Sequence, residues 1–319
     1  MTKFFEEKFN FFFFSAKSIT FVKRTKNHKD MLPPIIQLLR PKQWSKNVFV
    51  FLPLFFDKKF TDTRLLALTC LCFIIFSMAA SAVYCLNDIL DRKADAVHPE
   101  KCKRPIASGA VSVTAGWIAM AMCALLAVGL TLWLIPDLIW LLLGYMALNI
   151  AYSLWLKHVS LVDMLLVASF YVMRVVAGAI TGSIVPSQWI VVMTFLLALF
   201  LVLGKRRDDV MLQSQTGETV RRGIANYNLQ FINMTLTLVA TVTIVSYMMY
   251  TMSDDVAARF DSRYVYCTAI FVLAGILRYL QLTVVENRSG SPTKVLFRDR
   301  FIQLCLLGWF ITFLVIIYW

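Results

Sequence analysis

The chain has 319 residues, of which 59% are hydrophobic and 16% charged, with a mean hydropathy of +0.68. That composition excludes a soluble globular domain. The formal charge of +13 is explained, in so apolar a chain, by basic loops on the inner side of a membrane and not by nucleic acid. The seven cysteines form no CxxC pair and the three histidines no metal-ligand spacing, which argues against a zinc site.

Residues 1–30 stand apart. Phe11 to Phe14 form an aromatic run among lysines, too short to span a bilayer and lacking a small-residue cleavage site. They read as a basic surface anchor or as sequence upstream of a true start at Met31. Residues 31–319 read as one all-α integral membrane domain. Apolar runs predict nine spans: 47–57 extended back toward 36, then 65–86, 113–134, 138–156, 160–180, 188–204, 229–251, 264–285 and 301–318. With the N-terminus inside, 25 basic residues fall in inner segments and 5 in outer ones. This asymmetry predicts a cytoplasmic N-terminus, an external C-terminus, and polar loops at 87–112 and 204–228 on the cytoplasmic side.

The first of these loops opens with Asn87-Asp88-Ile89-Leu90-Asp91-Arg92-Lys93-Ala94-Asp95. On a helix, Asp88, Asp91 and Asp95 share one face, with Asn87 beside them. Carboxylates packed on one stripe repel unless a cation holds them, and Mg²⁺ is suited because it shares its shell with phosphates. Lys101, Lys103 and Arg104 follow, so diphosphate chemistry is expected. The alternative is an ordinary solvated helix end.

The second loop reads Gly204-Lys205-Arg206-Arg207-Asp208-Asp209, continuing to Arg221, Arg222 and Tyr227. Its basic run is either an inner-face anchor or a second phosphate site. Lys46 and Lys157 face the same choice. Asp163 and Arg174 lie about three helical turns apart on one face, either pairing with neighbouring helices or binding substrate. Arg278 reads as a structural partner or a snorkelling residue. Gly178 and Gly182 form a GxxxG that marks close packing. Small-residue faces permit a homo-oligomer without specifying one.

Asn87-Asp88, Asp91, Asp95, Lys103-Arg104-Pro105 and the nine-span layout together resemble the UbiA superfamily of intramembrane prenyltransferases. The resemblance implies a helical bundle around a central cavity, with Mg²⁺-diphosphate held at its cytoplasmic mouth by Asp88, Asp91 and Asp95. Typical members carry a second acidic motif after the sixth span, where this chain has Lys205-Arg206-Arg207. An acidic motif facing a basic one is similar to the decaprenyl-phosphate phosphoribosyltransferase branch. So are Arg40-Pro41, Gln43-Trp44, Lys46-Asn47, Tyr152-Ser153, Leu156-Lys157-His158, Arg174, Ala177-Gly178, Ser187-Gln188-Trp189, Leu296 and Arg298-Asp299-Arg300.

That branch implies a bacterial inner-membrane enzyme. It would move phosphoribosyl from phosphoribosyl diphosphate to a polyprenyl phosphate. Asp88, Asp91 and Asp95 would hold the metal. Substrate contacts would come from Lys46, Asn47, Asn87, Lys103, Arg104, Tyr152, Lys157, Asp163, Arg174, Lys205 and Arg206. Two alternatives are an ordinary UbiA prenyltransferase and a lipid transporter. The transporter lacks the broken mid-membrane helices and midplane polar groups expected of that class.

Overall fold

The computed structural model describes residues 32–97, 101–216, 227–287, 295 and 298–318. The chain divides into a unit Met1–Pro33 and a unit Pro34–Trp319. Residues 1–31 lie outside the described residues, and the expectations for the extension and for Met31 fall there. Arg221, Arg222 and Leu296 are outside as well.

The expected first span is broken. Helix α1 (Pro34–Leu39) ends at Arg40, a 3-10 helix covers Pro41–Phe51, and α2 covers Leu52–Phe56. Arg40 adopts the left-handed conformation, φ 52° and ψ 58°. Pro41 disfavours a right-handed helical residue before it, so the chain turns there. The bundle continues with α3 (Thr63–Leu90), a short α4 (Arg92–Val97), α5 (Val113–Leu134), α6 (Ile139–Leu154), α7 (Val162–Thr181), α8 (Gln188–Thr216) and α9 (Leu229–Thr251). A short α10 (Asp254–Phe260), α11 (Ala269–Leu280) and α12 (Arg300–Tyr318) complete it.

Among the described residues, seven helical segments are long and apolar enough to cross a membrane: 63–90, 113–134, 136–154, 162–181, 188–214, 229–251 and 263–285. These match seven of the nine expected spans. The first is interrupted at Arg40-Pro41, and the last offers a shorter apolar helix at 300–316. Nine continuous crossings are therefore not seen.

Local sequence sets several helix starts. Asp62 accepts from the N–H groups of Arg64 and Leu65, Ser112 from that of Ala115, and Asn228 from that of Phe231. Each satisfies a donor with no partner inside its helix.

Burial ranks the helices. The most apolar windows of α3 and α7 are 56% and 50% buried, against 17% for α5. The first two are central and α5 faces lipid. Trp133 and Trp140 are exposed at one end of the α5–α6 hairpin, Trp117 and Trp155 at the other. Exposed indoles at both ends suit the two membrane interfaces. One core gathers Cys72, Phe76, Leu142, Tyr145 and Phe170, and another gathers Phe200, Leu203, Ile232, Leu236 and Tyr279. Helix α7 joins them, giving Phe170 to the first and Met164 to the second.

Among the described glycines, Gly178 is the most tightly packed. A Cβ there would lie 1.9 Å from the Val50 carbonyl oxygen. The expected small-residue packing is thus between α7 and the 3-10 helix that carries Lys46 and Asn47. Gly178→Ala is expected to lower stability by about 1–3 kcal/mol, the usual cost of overpacking. Thermal unfolding of the purified protein checks this, with Gly144→Ala as control because a Cβ at Gly144 meets nothing within 4 Å.

Arg278 takes the structural role expected of it. Its guanidinium pairs with Asp299 at 2.8 Å and Glu286 at 3.3 Å, joining the end of α11 to the start of α12. The hydrogen bond from Arg278 holds the Asp299 carboxyl below the usual carboxylate range.

Candidate active site

Contacts across the bundle bring the described parts of both polar segments to one end, and residues 204–216, expected as loop, continue α8 as helix. The acidic stripe does not stay on a single helix. Helix α3 stops at Leu90, and Asp91 caps it with φ −85° and ψ 1°. Aspartate favours such a stop because its side chain competes for the local backbone. Asp88 and Asp95 turn inward and are buried, at 1% and 3% exposure, whereas the Asp91 side chain is 40% exposed.

Each carboxylate meets a cation. Arg40 pairs with Asp88 while its guanidinium lies 5.0 Å from the Tyr84 ring centre. Arg104 reaches both Asp95 at 2.6 Å and Asp88 at 3.4 Å. Lys157 lies 3.4 Å from Asp91. Asn87 flanks the group and Lys103 is exposed beside it.

Among the described residues, no three His, Cys, Asp or Glu side chains are grouped as a ready metal cage. Two buried oxygens nevertheless lack a hydrogen-bond partner: Asp88 Oδ2 and Asn87 Oδ1. A buried oxygen left bare costs free energy, and hard oxygen donors are what Mg²⁺ takes. The residues present therefore fit such an ion.

A second cluster is cationic. Lys46 sits in the field of Lys205, Arg174 and Arg40. Arg174 is 5% exposed, and its guanidinium donates to Asn47 Oδ1 at 2.6 Å, the Phe170 carbonyl at 2.6 Å and the Tyr145 hydroxyl at 2.9 Å. All three acceptors are neutral. Asn47 in turn donates to Ser77 at 3.0 Å. A buried cation with neutral partners is costly unless an anion joins it.

A third group is paired within the protein. Arg206 donates to Asp163 at 2.7 Å and to Asp209 at 2.8 Å, and Tyr152 donates to Asp163 at 2.6 Å. Arg207 binds Asn233 and Asn287 at 2.8 and 3.0 Å. Both arginines are buried and held by protein acceptors. The Lys205 side chain reaches the surface. Leu161, just before α7, has φ 63° and ψ −48°, and the Val162 N–H reaches the Ser160 carbonyl at 2.8 Å. This is a strained γ-turn, and the Tyr227 hydroxyl accepts from the Leu161 N–H. It sets Asp163 at the head of α7.

Sequence reasoning treated Arg40 as part of a motif and missed its pairing with Asp88. It also missed Tyr145 and Asp209. Only the general cost of buried charge pointed to partners for Asp163 and Arg174, and nothing pointed to those of Arg206.

Among the described residues the chain is a helical bundle with seven membrane-length helices, and its acidic and basic clusters meet at one end. The sequence profile of the UbiA prenyltransferase family matches residues 48–217, and the chain belongs to that family. It is 31% identical over 296 residues to the decaprenyl-phosphate phosphoribosyltransferase of Mycolicibacterium smegmatis, covering 88% of this chain and 91% of that protein. It is 30% identical over 303 residues to the protein of the same name from Corynebacterium glutamicum, covering 93% and 90%. The fold is similar to that of a UbiA homologue from Archaeoglobus fulgidus bound to DMAPP and Mg²⁺. The TM-score is 0.63, with 18% identity and coverage of 90% of this chain and all of that one.

Proposed function

We propose that this protein transfers 5-phosphoribosyl from phosphoribosyl diphosphate to a polyprenyl phosphate of the decaprenyl type, releasing diphosphate, with Mg²⁺. The observation that carries this reading is the pairing of a carboxylate cluster with a separate cationic cluster around Lys46. The donor has two unlike anionic ends. Its diphosphate suits metal and carboxylates, and its 5-phosphate suits cations alone. A prenyl diphosphate has no second phosphate for such cations.

Asp88, Asp91 and Asp95, with Asn87, would hold Mg²⁺, which when bound offsets the charge of the departing diphosphate. Arg104, Lys103 and Lys157 stand beside them to bind that same group. Lys46 and Lys205 take the 5-phosphate. Arg174, fixed by Asn47 and Tyr145, draws the lipid phosphate inward. The acceptor oxygen attacks C1 of the ribose opposite the leaving group and inverts it. The acceptor is already anionic, so no strong base is required. Asp163, Tyr152 and Arg206 hold the start of α7 against the C-terminal part of α8.

The distribution of basic residues supports a bacterial inner-membrane setting, with the active site and N-terminus cytoplasmic and the C-terminus outside. Soluble phosphoribosyl diphosphate would then meet the lipid at the inner face. The relatives' names and the Mg²⁺ in the homologous fold agree with the reading.

Ligand-dependent unfolding tests it. Phosphoribosyl diphosphate with Mg²⁺ is expected to raise the unfolding midpoint more than inorganic diphosphate with Mg²⁺ at the same concentration. Equal shifts would remove the second phosphate from the account.

A further inference from the structure

The three acidic side chains are matched one for one by cations of the same chain. Arg40 holds Asp88, Arg104 bridges Asp88 and Asp95, and Lys157 faces Asp91. These three carboxylates and the three cations paired with them carry no net charge together. Arg40 comes from the break before the 3-10 helix, 48 residues from Asp88 in sequence. It does so from a left-handed backbone, φ 52°, that a non-glycine residue adopts at a cost. Its guanidinium lies near the Tyr84 ring. Asp88 is almost wholly buried, and one of its oxygens is taken by guanidinium while the other has no partner.

We infer that Arg40 and Arg104 are the resident counter-ions of the acidic motif, and that they make metal entry depend on diphosphate. The inference rests on the diphosphate reading above. A divalent ion arriving alone would meet a neutral cluster and leave it with two positive charges in excess, next to two guanidiniums. Removing a charge from a buried ion group or adding one to it without compensation is strongly unfavourable. A metal arriving with diphosphate brings its own anion. The guanidiniums then exchange Asp88 and Asp95 for phosphate oxygens, which arginine binds as readily as carboxylate. Arg40 is thus a positioning residue for the acidic motif in the empty enzyme and a phosphate ligand in the loaded one.

The test is metal binding by the full-length protein in detergent after chelator treatment. Mg²⁺ alone and Mg²⁺ with inorganic diphosphate serve as probes, and calorimetry or the unfolding midpoint as readout. Wild-type protein is expected to bind Mg²⁺ alone weakly and Mg²⁺ with diphosphate well. Arg40→Gln is expected to bind Mg²⁺ alone about tenfold more tightly than wild type, since one competing charge is gone. It is expected to gain less from added diphosphate. Arg40→Lys keeps the charge and should stay near wild type. Arg104→Gln provides a second variant should Arg40→Gln fail to fold, and the same direction of change is expected. Unchanged or weaker Mg²⁺ affinity in both glutamine variants, with diphosphate-dependent binding intact in wild type, overturns the inference alone. Wild-type protein that binds no Mg²⁺-diphosphate overturns the functional reading with it.

Discussion

Asp91→Asn is expected to lower turnover by about a thousandfold or more while the protein stays folded. The three carboxylates differ in their surroundings. Asp91 is 40% exposed and its contact with Lys157 is long, at 3.4 Å. An exposed pair of that kind contributes about 0–1 kcal/mol to stability. Removing its charge therefore leaves the fold almost untouched. Loss of a metal-binding carboxylate removes charge stabilisation worth several kcal/mol in the transition state, and each 1.36 kcal/mol is tenfold in rate. Asp88→Asn is a poorer probe, because it would strand Arg40 beside a buried neutral group. Near-normal, Mg²⁺-dependent turnover by a folded Asp91→Asn protein would sink the assignment of this cluster. Steady-state assays beside thermal unfolding give both readouts.

Lys205→Gln is expected to raise KM for phosphoribosyl diphosphate by about 10–100-fold, in line with 1.5–3 kcal/mol for a hydrogen bond to a charged group. Inhibition by inorganic diphosphate should barely change, because that ligand engages the carboxylate end. Lys205 is the exposed member of its basic run, whereas Arg206 and Arg207 are buried. Arg206 is tied to Asp163 and Asp209, and Arg207 to Asn233 and Asn287. Replacing either arginine would confuse binding with loss of structure, since breaking a buried pair costs about 3–5 kcal/mol. Equal weakening of both ligands by Lys205→Gln would place its charge at the diphosphate instead.

Much of this was legible in the chain. Apolar length marked the seven crossing helices, because a bilayer core imposes one minimum length on every span. The acidic spacing at Asp88, Asp91 and Asp95 drew attention to one pole of the candidate site, and Gly178 marked a close contact. What stayed hidden was partner choice. Nothing local says that Arg40 will reach Asp88, or that Lys46 will feel Lys205 from a helix about 160 residues later. The stripe on one helix face was an ideal-helix inference. The stop at Asp91 divides it, burying Asp88 and Asp95 and leaving Asp91 at the surface. The first span was read by hydropathy alone, which does not register that Pro41 forces Arg40 out of the helix. Arg206 stood in the sequence as one of three equivalent basic residues, and only the tertiary structure separates it from Lys205.

The most direct measurement is product identity. Purified protein is incubated with Mg²⁺, polyprenyl phosphate and phosphoribosyl diphosphate labelled in the ribose. The expected result is a lipid-extractable product that carries the label and its 5-phosphate, formed as diphosphate is released. Failure to label lipid from that donor, together with transfer of a labelled prenyl chain from prenyl diphosphate to an acceptor, would contradict the account.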